Sequence, residues 1–216
     1  MTTIEKEILI PIDEVTLEGN LAIPEKAKGL IVFAHGSGSS RHSSRNKYVA
    51  KALQKEGFAT LLFDLLTVKE DEDYSARFNI ELLSSRLINV TDWLKLNTET
   101  GDLNIGYFGA STGAAATLNA AAALGNAITA IVSRGGRPDL AEPNLAAVKS
   151  PTLLIVGGLD AEVIMLNEKA YALISSIKEI RIVPGATHLF EEPDKLEEVA
   201  ALAIQWFNKY LFTTAK

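Results

Sequence analysis

Residues 103–124 read LNIGYFGASTGAAATLNAAAAL, and the change of character at Ser111 sets the expectation for the whole chain. Leu103 to Phe108 is a short apolar run. Ala114 to Leu124 is alanine-rich, with apolar residues at three-to-four spacing. That pattern predicts a strand, a sharp turn and a helix. The turn is Gly109-Ala110-Ser111-Thr112-Gly113, a G-x-S-x-G segment. In a strand–turn–helix elbow the serine takes a strained backbone position that lifts its hydroxyl above the sheet edge, as a nucleophile requires. Large side chains two residues to either side would collide, and Gly109 and Gly113 occupy those places. A helix that starts directly after the serine also points backbone N–H groups toward it, which makes the Thr112 N–H a donor for an oxyanion. A bare G-x-S-x-G also occurs in ordinary strand-to-helix turns, so the reading depends on partners elsewhere in the chain.

Outward from this elbow the same alternation repeats. Leu30 to Ala34, Ala59 to Phe63, Ile128 to Ser133, Thr152 to Val156 and Ile180 to Val183 are short apolar runs suited to strands buried on both faces. Tyr48 to Lys55, Ile80 to Leu96, Val163 to Ile174 and Leu196 to Tyr210 have helical periodicity. Ahead of them, Glu7 to Ile12 and Val15 to Ile23 form two extended segments around Asp13-Glu14, a hairpin closed by Pro24. The expected class is α/β: a mainly parallel twisted sheet with an N-terminal antiparallel hairpin, helices on both faces and right-handed crossovers. Thr67 to Asn79, which contains Lys69-Glu70-Asp71-Glu72-Asp73, is expected to be a solvated surface loop. Between Ser133 and Thr152 there is room for a loop and a short helix but no large cap domain. A single domain over residues 1–216 is the expectation.

Composition narrows the function classes. The chain has 216 residues, 47% hydrophobic and 22% charged, with a formal net charge of −6. That balance argues against a nonspecific nucleic-acid binder, whose affinity comes from Lys and Arg neutralising phosphates. With no cysteine, disulfides, thiolate metal sites and a cysteine nucleophile are excluded. Met1 to Pro11 lacks the basic and long apolar regions of a secretory signal, so a cytoplasmic location is expected. No stretch approaches the ~18 apolar residues of a membrane span. Neither a membrane nor a nucleic-acid partner is expected, and oligomeric state is not readable.

A serine hydroxyl needs a base, usually a histidine oriented by a carboxylate. Ligands of open parallel sheets lie beyond the carboxyl ends of the strands, so the partners should follow later strands. Asp160 comes directly after the run Thr152 to Val156 and Gly157-Gly158-Leu159, and His188 follows Ile180 to Val183. The chain order Ser111, Asp160, His188 is that of an α/β-hydrolase triad. Asp139 follows the preceding strand and is the rival acid, ranked second because Asp160 is delivered earlier after its strand. Asp64 reads as a structural, hydrogen-bonding aspartate.

His35-Gly36-Ser37-Gly38-Ser39-Ser40 follows the strand Leu30 to Ala34, where a His-Gly turn commonly supplies the second oxyanion donor. That donor is assigned to the Ser37 N–H, and His35 to a structural role. No Lys-Ser or Lys-Thr closes this loop as a P-loop requires, and Arg41 stands where a dinucleotide fingerprint has its third glycine. Arg41, His42, Arg45, Arg134 and Arg137 all fall in loops at the same edge. They admit two readings: a site for an anionic substrate group, or ion pairs that brace the loops against Asp64, Asp139 and Asp160. Trp93 and Trp206 read as core residues. Phe190 either lines the pocket or anchors its loop.

With Ser111, Asp160, His188 and the His35 loop in place, the chain resembles the α/β-hydrolase superfamily over nearly its whole length. HGSGSSRHSSRN at 35–46, GYFGASTGAAA at 106–116 and SRGGRPDLA at 133–141 look like those of small bacterial dienelactone-hydrolase-like proteins. The resemblance implies acyl transfer. The family's namesakes use a cysteine where this chain has Ser111, so their substrate is not carried over. The expected activity is that of a serine esterase or lactonase acting on a small-molecule ester or lactone, with no metal and no organic cofactor. Two alternatives stand beside it: a thioesterase or acyltransferase using the same triad, and a catalytically silent binding protein for an anionic metabolite. A nucleotide-dependent oxidoreductase is disfavoured by the spacing of Gly106, Gly109 and Gly113.

Overall fold

A computed structural model describes residues 2–212. Eight strands, β1 (Thr3–Ile12), β2 (Val15–Pro24), β3 (Leu30–Ala34), β4 (Ala59–Phe63), β5 (Ile105–Ala110), β6 (Ile128–Arg134), β7 (Thr152–Gly157) and β8 (Lys178–Val183), form one sheet in the order β1-β2-β4-β3-β5-β6-β7-β8. The β1–β2 hairpin is antiparallel and joins β4 antiparallel, while every pair from β4 to β8 is parallel. The helices are α1 (Ser44–Lys55), α2 (Val68–Asp71), α3 (Ile80–Leu96), α4 (Thr112–Leu124), α5 (Ala161–Leu173) and α6 (Lys195–Tyr210).

The continuously apolar strands are divided between two cores by the alternation of their side chains. On β3, Leu30, Val32 and Ala34 pack with α3 and α4 on one face, whereas Ile31 and Phe33 pack with α1 and α6 on the other. Both faces are covered, so no polar alternation appears in the sequence. α6 shows the opposite case of a clean amphipathic stripe, with Val199, Ala200, Ala203, Trp206 and Phe207 buried. Trp206 belongs to this second core and donates from Nε1 to the Pro151 carbonyl at 3.3 Å, and Trp93 packs against the first core. Neither is a substrate platform.

Strand order decides where the site lies. The chain steps from β3 outward to β4 and then crosses back to place β5 on the other side of β3. Neighbouring strands β3 and β5 therefore send their outgoing connections to opposite faces, to α1 and to α4. A crevice opens between those connections at the carboxyl edge of the sheet.

Two local expectations are corrected. The segment 67–79 is not an open loop but carries α2 and a 3₁₀ turn at Ala76–Phe78. Thr67 accepts from the Glu70 N–H while the Glu70 side chain accepts from the Thr67 N–H, a capping box that satisfies two orphan donors. Arg77 closes the segment with a fork onto Asp71. α1 begins at Ser44, not at Tyr48, because Ser43 caps it by accepting from the Asn46 N–H at 3.3 Å. Arg45 thus sits in the first turn of a helix. The stretch between β6 and β7 holds a 3₁₀ segment at Pro138–Ala147 and no cap domain.

Candidate active site

Ser111 occupies the elbow between β5 and α4 with φ 52° and ψ −122°, a backbone conformation that non-glycine residues rarely adopt. The flanking glycines hold the elbow closed. A Cβ on Gly109 would come within 2.5 Å of the Ala114 Cα, and one on Gly113 within 2.3 Å of the Ala34 carbonyl oxygen. Strand, helix and the neighbouring β3 end meet too closely here for any side chain.

His188 and Asp160 come together. Asp160 stands at the end of β7 immediately before α5, and His188 lies in the loop between β8 and α6. His188 Nδ1 and Asp160 Oδ2 are 2.7 Å apart. An ionised carboxylate can only accept, so Nδ1 carries the proton and Nε2 keeps the lone pair. Asp139 is taken elsewhere, receiving a two-bond fork from Arg137 Nε and Nη2 at 2.9 and 2.8 Å. Ser111 and His188 line one cavity of about 220 Å³, bounded also by Gly36, Ser37, Arg45, Asn46 and Arg134.

The Ser37 N–H, expected as an oxyanion donor, is already engaged: it donates to Thr112 Oγ1 at 2.9 Å. Any donation to substrate must share or replace that bond. The Thr112 N–H, at the first position of α4, has no acceptor one turn back within its helix. His35 is structural. Its Nε2 accepts from the Leu65 N–H at 3.1 Å, so Nδ1 bears the proton and donates to the Gly36 carbonyl at 3.0 Å. Burial holds its pKa below the usual histidine value despite that backbone bond and the nearby Asp64 and Asp71.

The five residues expected to meet an anion separate sharply. Arg41 is a brace: its guanidinium pairs with Asp64 and Glu18, its N–H donates to Asp64 Oδ1 at 2.7 Å, and it lies outside the Ser111 cavity. Asp64 is structural, as its place after β4 suggested. Arg137 is spent on Asp139. His42 is exposed, with Nδ1 3.5 Å from Lys47 Nζ, and does not line the cavity. Arg41, His42 and Arg137 thus stand outside the lining of the Ser111 cavity, with Arg41 and Arg137 held by acidic partners.

Arg45 and Arg134 do line the cavity. Arg45 pairs with Glu191 at 2.6 Å. Arg134, at the end of β6 and only 6% exposed, has no acidic partner among the described residues. Its Nη2 lies 3.4 Å from Asn46 Oδ1, a long contact, and its guanidinium stands 5.9 Å from the ring centroid of Phe190. Phe190 is buried beneath it and anchors its own loop. Burial, reinforced by the like charge of Arg45, pushes the Arg134 pKa down to about 10.

Known proteins match this frame. The model of the Dienelactone hydrolase family matches residues 17–213. A solved dienelactone hydrolase from Anabaena variabilis is 54% identical, covers 97% of this chain and 99% of its own, and superposes with a TM-score of 0.94. Est1E from Butyrivibrio proteoclasticus, 16% identical over 94% of this chain and 98% of its own at a TM-score of 0.81, shares the fold. Two Mycobacterium tuberculosis proteins provisionally named phosphoribosyl transferases are 56% identical over 207 residues, 96% of this chain. The chain spans about half the length of these curated relatives, 47% of each. Among the described residues no helix is long and apolar enough to cross a membrane. The sheet, its helices and the match over residues 17–213 agree: the chain has the α/β-hydrolase fold and belongs to the dienelactone hydrolase family.

Proposed function

We propose that this protein is a serine hydrolase that cleaves a carboxylic ester or lactone through an acyl-enzyme on Ser111. The observation that carries the reading is the 2.7 Å contact between His188 Nδ1 and Asp160 Oδ2, beside a cavity that His188 shares with Ser111. With Nδ1 committed to the carboxylate, Nε2 is the available base.

The Ser111 oxygen attacks the carbonyl carbon while its proton passes to His188 Nε2, and Asp160 stabilises the imidazolium. The carbonyl electron pair moves onto the oxygen, where the Thr112 N–H meets it. The Ser37 N–H joins by sharing or leaving its bond to Thr112 Oγ1. Collapse of the tetrahedral species breaks the bond to the leaving alcohol, which takes the proton from Nε2. Water then repeats the sequence and frees the acid and the serine. Base catalysis is worth ~10²–10⁴ in rate and one oxyanion donor ~10²–10³.

The activity named for the M. tuberculosis relatives is not carried over, because this chain spans only 47% of each. A thioesterase or acyltransferase would use the same three residues with another acyl donor or acceptor. A fluorophosphonate probe tests the proposal: mass spectrometry should find Ser111 labelled in the wild type and no label in Ser111→Ala. An unlabelled Ser111, together with no turnover of aryl esters, would leave the silent binding protein as the better reading.

A further inference from the structure

One wall of the cavity, formed by Arg134 and Arg45, carries positive charge that the protein leaves unbalanced. Arg134 is buried without a carboxylate, and its Nε makes no hydrogen bond. An unpaired buried charge is strongly unfavourable and persists only where something compensates for it. Arg45 comes from the side, and its Nε is likewise buried and unsatisfied. It stands in the first turn of α1, which holds no acidic residue and reads Ser44-Arg45-Asn46-Lys47. Cations at a helix N-terminus oppose the macrodipole, whose positive end already favours an anion there. Ser43 Oγ and the Lys47 N–H are used within the cap, whereas the N–H groups of Ser44 and Arg45 have no acceptor inside the helix. Among the described residues the one acid paired with this wall is Glu191, whose side chain is 61% exposed and outside the cavity lining.

Resting on the serine-hydrolase reading, we infer that this wall is a phosphate subsite, and that the substrate is an ester carrying a phosphate group held by Arg134, Arg45 and the first turn of α1. Two guanidinium groups and a helix N-terminus exceed what a single carboxylate neutralises. They also approach from different elements, β6 and α1, which suits the several oxygens and the near −2 charge of a phosphate monoester better than a planar monoanion. Ser39 and Ser43 also line the cavity, and the Ser43 hydroxyl, while accepting from the Asn46 N–H, still has its proton to donate. Glu191 occupies Arg45 until the ligand displaces it.

The test is a thermal-unfolding and calorimetric titration of inorganic phosphate, with acetate as the carboxylate control, on wild type, Ser111→Ala, Arg134→Met and Arg45→Gln. Phosphate should raise the midpoint of wild type and Ser111→Ala equally. Arg45→Gln should bind it about tenfold or more weakly, and Arg134→Met should lose the shift. Without phosphate, Arg134→Met should melt a few degrees higher than wild type, because an unpaired buried charge has gone; a residue that merely braced its loop would do the reverse. Absence of phosphate binding to the wild type, unchanged binding by both arginine variants, or preference for acetate would overturn the inference. Phosphate binding by a protein whose Ser111 resists the fluorophosphonate would preserve the subsite and sink the hydrolase reading instead.

Discussion

The two walls of the Ser111 cavity are built on opposite principles. On one wall each partner is internal: Asp160 holds His188, which is thereby set in the tautomer that accepts a proton. On the other, Arg134 has no acidic partner among the described residues and feels the like charge of Arg45, which itself leans on an exposed glutamate. The first wall is finished by the polypeptide alone. The second is electrostatically incomplete, and the contrast with Arg41 shows that incompleteness is not what this edge of the sheet imposes. Arg41 stands at the same edge and has two carboxylates on its terminal nitrogens, from Asp64 and Glu18, although its Nε too makes no hydrogen bond. A fold that can supply two carboxylates to one arginine and none to another distinguishes scaffolding from recognition.

The sharpest way to break the comparison is to damage the finished wall. His188→Ala should lower kcat for an aryl ester by about four orders of magnitude with little change in melting temperature, measured by steady-state kinetics and thermal unfolding. Asp160→Asn should cost about 10³–10⁴ in kcat, since an amide at Nδ1 no longer fixes the donor tautomer. Asp139→Asn should change kcat less than about threefold, and a loss like that of Asp160→Asn would move the acid to Asp139. Arg41→Ala should leave KM unchanged while lowering stability by about 1–3 kcal/mol in urea denaturation, because Asp64 loses its guanidinium partner and keeps only the backbone N–H. If KM rose with stability intact, Arg41 would belong to the recognition wall.

The smallest effect concerns pH. His35 is held neutral by burial, so its folded pKa lies below the unfolded value and the unfolded chain binds the additional proton. Its contribution to stability is therefore complete above about pH 6.5 and is lost as the pH falls through the folded value. Unfolding free energies measured from pH 7.5 down to 5 should decline with a slope of at most about 1.4 kcal/mol per pH unit from this group. His35→Gln should flatten that decline.

Much of the finished wall was legible in the chain. The run from Leu103 to Leu124, the order Ser111, Asp160, His188 and the early delivery of Asp160 after β7 are local properties, and the strand-end rule brings them to one edge. The arginines were legible only as two open readings, bracing or binding: Arg137 has its partner Asp139 two positions away, but the partners of Arg41 and Arg45 are remote. Arg41 meets an aspartate 23 positions away and Arg45 a glutamate 146 positions away. The Ser37 amide finds the Thr112 hydroxyl across 75 positions. No periodicity encodes such pairings. The first turn of α1 and the short helix α2 were missed for another reason. Their caps, Ser43 with Asn46 and Thr67 with Glu70, are four-residue signals that weigh little beside a search for apolar stripes.

α4, whose N-terminus abuts the nucleophile, buries nine of its residues, among them Ala114, Ala115, Ala116, Ala120 and Ala121. Such a helix lies so close to its neighbours that even one added methylene group would force them apart. Natural divergence and laboratory selection are thereby steered away from it. New substrate preferences should arise by exchange of residues in the segments 37–46 and 187–191, while the shoulder behind Ser111 stays almost invariant in volume.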